Sequence, residues 1–132
     1  MPYLFNHVHL KSPNPAEAAN WYVKTFNFKI ISDTDNFFGR GDKFIKCETE
    51  DGIVVNISGP QPGELLGDGD SSAHYGLEHF GIQVEDMQSE ILRLESMGVN
   101  VLSDIISLGS NIEIAFIEGP DRVRIELLEI KT

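Results

Sequence analysis

The chain has 132 residues, about 41% of them apolar, which is enough for one domain with a real core. Ten basic against 21 acidic side chains leave a net charge of −11, which argues against nucleic acid and against anionic membrane surfaces as partners. No stretch has the length of a membrane span, the first residues lack the basic and apolar regions of a signal peptide, and a lone Cys47 offers no disulfide framework; a cytoplasmic protein is expected.

Residues 4–11 read as a strand that ends at Ser12-Pro13-Asn14-Pro15. Asn14 suits a helix N-cap and Pro15 a first helical position. Ala16, Ala19, Tyr22, Val23 and Phe26 then recur at helical spacing, predicting an amphipathic helix near 15–25. Strands are expected at Phe28 to Ser32, Phe37 to Gly39 and Phe44 to Cys47, and at Ile53 to Ile57 after the Asp51-Gly52 turn. Residues 59–75, rich in Gly, Pro, Asp and Ser, read as a linker. The order then repeats, with a strand near 77–84, a helix near 86–97 closed by Gly98, and strands at 99–102, near 112–117 and at 122–130.

The repeat is visible residue by residue. His7-Val8-His9-Leu10 lies over His79-Phe80-Gly81-Ile82 with an offset of 79 − 7 = 72, which sets Asn14 on Asp86 and Tyr22 on Leu94. One residue is then lost, since Phe28 matches Val99 at 99 − 28 = 71. Near the ends Asn56 falls on Glu126, and 126 − 56 = 70. The repeated unit is close to βαβββ, and the fold class is α+β.

Strand alternation sets the facing. Val8 and Leu10 oppose His7 and His9; Phe80 and Ile82 oppose His79 and Gly81; Val123, Ile125 and Leu127 oppose Arg124 and Glu126. His7, His79 and Glu126 therefore lie on faces opposite apolar stripes. Two histidines and a carboxylate are a ligand set for a divalent metal with open positions. His9, on the face of His7, is a candidate acid–base group, with a merely polar role as the plain alternative. Glu78, one place before a ligand, should point to the other side of its strand, toward an edge ion pair or solvent. His74 and Tyr75 are candidates to cover the site or are simply solvated. Cys47 reads as a small buried residue, and Trp21 and Tyr22 as packing residues.

These segments together resemble the vicinal oxygen chelate superfamily, which includes glyoxalase I, type I extradiol dioxygenases, fosfomycin-resistance enzymes, methylmalonyl-CoA epimerase and bleomycin-resistance proteins. The carrying residues are Asn6-His7-Val8-His9-Leu10 with Trp21-Tyr22, Gly76-Leu77-Glu78-His79-Phe80-Gly81-Ile82, and Phe116-Ile117-Glu118-Gly119-Pro120-Asp121 leading into Arg124-Ile125-Glu126-Leu127. The resemblance covers nearly the whole chain outside 59–75. It implies one glyoxalase-like domain over 1–132, with modules at about 1–58 and 76–132. Their mixed sheets would form a cup-shaped half-barrel, helices outside, around one divalent ion (Fe, Mn, Ni, Zn or Co).

The family's ligand positions fall here on His7, Asn56, His79 and Glu126. Asn56 departs from glyoxalase I, which has a carboxylate there; an amide offers a neutral oxygen and no general base. The remaining His7, His79 and Glu126 match the three-ligand pattern of the dioxygenase and fosfomycin branches. The implied function is a metal-dependent enzyme for a small substrate bound through two neighbouring oxygens. The resemblance leans narrowly to a glyoxalase-like lyase or isomerase, with Glu126 and His9 as proton carriers. A ring-cleaving dioxygenase is the first alternative, and a non-catalytic, bleomycin-resistance-like binding protein the second. The resemblance also implies a homodimer of about 29 kDa, twice the 14.7 kDa chain.

Overall fold

A computed structural model describes all residues, Met1–Thr132. The chain divides into two compact units, Met1–Gly67 and Asp68–Thr132. The first unit runs β1 (His7–Lys11), α1 (Pro15–Phe26), β2 (Lys29–Thr34), β3 (Phe44–Glu48) and β4 (Val54–Ser58). The second runs β5 (Phe80–Gln83), α2 (Met87–Ser96), β6 (Ile106–Leu108), β7 (Ile112–Glu118) and β8 (Arg124–Ile130). Each unit is thus βαβββ, as expected. Each forms a four-stranded mixed sheet, in the orders β1-β4-β3-β2 and β5-β8-β7-β6. In both, the first strand pairs in parallel with the last, and the remaining pairs are antiparallel.

The helices begin where the repeat places their caps. The Asn14 side chain accepts from the Glu17 backbone N–H, and Asp86, its counterpart 72 residues on, accepts from Ser89 at 3.1 Å. Each bond satisfies one of the amides a helix start leaves unpaired. Asn27 ends α1 in the left-handed conformation, with its N–H turned back to Tyr22 and Val23. The core face of α1 is Ala18, Ala19, Tyr22 and Thr25, so the stripe lies slightly off the expected Ala16, Val23 and Phe26, which are half-buried. Tyr22 stacks on Phe28, and Trp21 meets Phe26 edge-on. Tyr22 and Leu94, equivalent in the repeat, are each fully buried.

Beneath α1 lie Ile45, Cys47, Val55 and Ile57; beneath α2 lie Ala115, Ile117, Ile125 and Leu127. The intervening residues of those strands face the other way, which confirms the alternation read for Ile125, Glu126 and Leu127.

Two expected strands are corrected. Phe37–Gly39 is a 3-10 turn: Asn36, Phe38 and Gly39 have φ of 50°, 49° and 74°, which no strand accommodates. Its ends are tied by Asn36 Oδ1, which accepts from Gly41 N–H, and by the Asp42 carbonyl, which accepts from Phe37 N–H. Residues 99–102 supply only a single bridge, Val101 to Ile117. The edge place beside β7 is taken instead by β6, a hairpin partner joined through 109–111 with Gly109 at φ 71°. The last strand starts at Arg124 instead of 122, because Pro120–Arg122 forms a 3-10 turn. Residues 59–79 contain no helix or strand.

The facing of α2 is testable. Leu94→Ala removes a fully buried side chain and should cost about 2–5 kcal/mol. Leu92→Ala, on the exposed side, should change stability by less than about 0.5 kcal/mol. Chemical denaturation of the two variants measures the difference.

Candidate metal centre

In the second unit, β5 and β8 pair so that Gly81 stands opposite Glu126, and β7 sets Phe116 on the other side of Glu126. This row of three lies on the face away from α2. His79 comes just before β5, and its ring meets Phe116 edge-on at 5.2 Å between centroids. His79 Nε2 lies 3.8 Å from Glu126 Oε2. Gly81 puts no side chain beside the carboxylate; a Cβ there would come into contact with Glu126 Oε1, at 3.4 Å. The Glu126 side chain is only 18% exposed, so its carboxylate is held within the unit.

Behind His79 stands a chain of polar contacts. His79 Nδ1 is 2.9 Å from Glu78 Oε1, and the same oxygen is 3.3 Å from Arg124 Nε. The Arg124 guanidinium lies over the Phe116 ring at 4.0 Å and donates to the Ser71 carbonyl at 2.9 Å. Hydrogen bonding to His79, with Arg124 nearby, holds the Glu78 carboxyl below the usual range. Glu78 thus makes the ion pair expected of it, with Arg124 as partner, but it makes it on the side of His79. Alternation does not apply to it, because Glu78 and His79 both precede the first strand residue, Phe80. Arg124 and Phe116 are also site residues the sequence reading missed. The charged position beside Glu126 in the last strand was their only visible sign.

The loop that leads into this region is pinned. The Ser71 hydroxyl donates to Glu118 Oε2 at 2.5 Å. Gly69 passes so close to the Pro120–Arg122 turn that a Cβ would sit 2.0 Å from the Asp121 carbonyl oxygen, so no side chain fits. That turn holds Asp121 and Arg122 at φ of 60° and 59°, both left-handed. Tyr75 is fully exposed and covers nothing within its unit. His74 places Nδ1 2.7 Å from the Ser72 carbonyl and Nε2 3.0 Å from that of Leu77.

In the first unit the equivalent row is His9, Asn56 and Lys46. The place that Gly81 leaves open is filled here by His9. Its Nε2 lies 2.7 Å from Ser58 Oγ, and its ring packs edge-on against Phe44. Burial, and then the charge of Lys11, push the His9 imidazole below its ordinary value of 6.5. Phe44 stacks on Phe37, Arg40 lies over Phe37, and Arg40 pairs at 3.0 Å with the buried Asp42, whose Oδ1 has no partner. Asn56 is buried. His7 is exposed, with Nδ1 2.8 Å from Asn6 Oδ1, and its ring centroid lies 6.5 Å from that of His9. Cys47 is fully buried, and burial pushes its thiol up to about 11, so it is no nucleophile.

Of the expected ligands, the structure brings His79 and Glu126 together, while His7 belongs to the first unit. Neither unit gathers three His, Cys, Asp or Glu side chains into a metal-holding group. The second unit fits a divalent ion as a pair of ligands: an imidazole nitrogen and a carboxylate oxygen face each other, and the other imidazole nitrogen is held by a carboxylate.

Paired βαβββ units, each closed by a parallel contact between its first and last strands, define the vicinal oxygen chelate architecture. The chain belongs to the Glyoxalase/Bleomycin resistance protein/Dioxygenase superfamily, whose pattern it matches over residues 4–127. It is 26% identical to glyoxalase I of Saccharomyces cerevisiae over 145 aligned positions; the match covers 95% of this chain but only 44% of that protein. A glyoxalase family protein from Bacillus cereus superposes over 100% of this chain and 97% of its own, with a TM-score of 0.84 at 14% identity. The fosfomycin resistance protein FosX of Listeria monocytogenes, solved with manganese(II) and sulfate, superposes over 98% of this chain and 93% of its own, with a TM-score of 0.71 at 15% identity. No helix is long and apolar enough to cross a membrane.

His74 gives this region a pH dependence. The carbonyls of Ser72 and Leu77 accept from it and raise its pKa above 6.5. A raised pKa means that the stabilisation is complete below about pH 6.5 and is lost as the pH climbs through the folded-state value. Amide exchange across 72–77 should therefore quicken above that point by more than base catalysis explains. His74→Ala should abolish the extra dependence.

Proposed function

We propose that the protein is a metal-dependent enzyme of the glyoxalase type, a lyase or isomerase acting on a small substrate bound through two neighbouring oxygens. The supporting observation is the facing of His79 Nε2 and Glu126 Oε2 at 3.8 Å, with the far side of the imidazole held by Glu78. His79 and Glu126 would hold the ion together with His7, from the same chain or from a second copy in a homodimer. A bound divalent ion supplies Lewis acidity toward the substrate's oxygens. Kinship with the superfamily, and the manganese in FosX, support the same reading.

The chain's own residues divide the remaining work. Glu126 is the carboxylate placed to carry a proton, since Asn56 at the equivalent place is an amide and cannot. Desolvation and then Lys11 push the His9 imidazole below its ordinary value, which favours its neutral form as a base on the face shared with His7. The Phe116 ring walls one side of the His79–Glu126 pair and limits water there. The net charge of −11 disfavours anionic substrates at long range.

Metal-depleted protein titrated with manganese, nickel, zinc, cobalt or ferrous iron, and then assayed on hydroxycarbonyl substrates, tests the reading. Isomerisation or cleavage that appears only with metal supports it. Ring opening of catechols with iron and oxygen would assign the protein to the dioxygenase branch. Protein that takes up no metal would place it with the binding proteins.

His7→Ala, His79→Ala and Glu126→Ala should each weaken metal binding at least about tenfold while the fold persists. Asn56→Ala should lose less than Glu126→Ala, since a neutral amide is the poorer donor to a hard ion. Calorimetric titration gives all four values, and wild-type affinity throughout would remove the site.

A further inference from the structure

We propose that Glu78 and Arg124 are positioning residues that fix the ring orientation and tautomer of His79, so that Nε2 presents a lone pair toward Glu126. This rests on the metal-dependent reading for its purpose, but not for its geometry. A carboxylate has no proton to give, so the 2.9 Å contact between Glu78 Oε1 and His79 Nδ1 requires Nδ1 to carry the hydrogen. In the neutral imidazole Nε2 is then the bare nitrogen. A free neutral imidazole prefers the other arrangement, with the proton on Nε2, so the Glu78 contact reverses the intrinsic choice.

Glu78 could not do this if its side chain were free to turn to solvent, because it lies outside the sheet. Arg124 holds it. One face of the guanidinium is seated on Phe116 at 4.0 Å, Nη1 is tied to the Ser71 carbonyl at 2.9 Å, and Nε, which makes no hydrogen bond, stands in ion-pair range, 3.3 Å, of the same Glu78 oxygen that meets His79. Phe116 also meets the His79 ring edge-on, so one aromatic side chain supports both ends of the chain of contacts. Arg124 sits on β8 two places before Glu126, so a single strand carries both the carboxylate and the residue that aligns the imidazole facing it. Lysine would not replace it, having neither a planar face for Phe116 nor donors in a fixed fork.

The first unit makes the contrast. Asn6 precedes His7 as Glu78 precedes His79, at the same offset of 78 − 6 = 72, and Asn6 Oδ1 lies 2.8 Å from His7 Nδ1. An amide can turn to offer either its oxygen or its NH₂, so it permits both tautomers of His7. The device is repeated in outline, but only the second unit has a carboxylate that enforces one answer.

The test is long-range ¹⁵N–¹H NMR of the imidazoles in metal-free protein at about pH 8, above the ordinary imidazole range. Wild type should show His79 protonated at Nδ1 only. Glu78→Ala should move the proton largely to Nε2 and leave His7 unchanged, and manganese affinity should fall by about 10–100-fold. Glu78→Gln, whose amide can offer either its oxygen or its NH₂, should give a His79 signal between those of wild type and Glu78→Ala. Arg124→Lys should give a mixed His79 signal. A Glu78→Ala spectrum with His79 still protonated at Nδ1 would overturn the proposal, as would wild-type manganese affinity in that variant while His79→Ala abolishes binding. If His79→Ala binds manganese like wild type, the metal reading fails; the tautomer shift in metal-free Glu78→Ala then still decides the positioning role.

Discussion

The parallel pairing of β5 with β8 is the contact on which the candidate site depends. It joins the beginning of the second unit to its end, so residues more than forty places apart in the chain become neighbours. Its register sets Gly81 against Glu126, and His79, two places before Gly81, comes within 3.8 Å of that carboxylate. A slip of one residue would turn Glu126 toward the core and Ile125 or Leu127 outward. The fully buried Ile125 and Leu127, packed with Ala115, Ile117 and Leu94, resist that slip. The same apolar stripe that stabilises the unit thus also holds the polar pair in place.

The two units share this plan and differ in what they do with it. Both start with a histidine whose Nδ1 is bonded by the preceding side chain, and both cap their helix with a short polar residue at the same offset. In the second unit the centre of the row is kept open by a glycine and flanked by a carboxylate and a phenylalanine. In the first, His9 fills the corresponding space and is tied to Ser58, while Asn56 replaces the carboxylate. The second unit keeps an imidazole and a carboxylate 3.8 Å apart on one face. The other carries two imidazoles, His7 and His9, beside an amide in place of the carboxylate.

Much of this was legible in the residues. The offset of 72 set Asn14 on Asp86 and Tyr22 on Leu94, and these prove to be the two N-caps and two fully buried helix residues. Alternation in the last strand placed Glu126 opposite Ile125 and Leu127, because a half-buried strand must segregate its side chains. The errors have local causes. Phe37 to Gly39 is apolar and aromatic, but left-handed Asn36, Phe38 and Gly39 turn it into a tie-down for Asp42. Val99 to Leu102 is apolar because it packs, while the hairpin at Gly109 brings Ile106–Leu108 to the sheet edge. The ion pair expected of Glu78 is present, but its facing was misjudged because alternation was extended two residues beyond the strand. Arg124 was beyond reach, since its role depends on Ser71, Phe116 and Glu78, which only the fold assembles.

The central proposal is that His79 and Glu126 of the second unit serve as ligands to a divalent ion. X-ray absorption of the nickel-loaded protein addresses it most directly, because imidazole rings leave a multiple-scattering signature that counts them. The account predicts imidazole scattering that falls in the His79→Ala variant, with the rest of the shell made largely of oxygen. A spectrum with no imidazole, or one unchanged by the loss of His79, would contradict it.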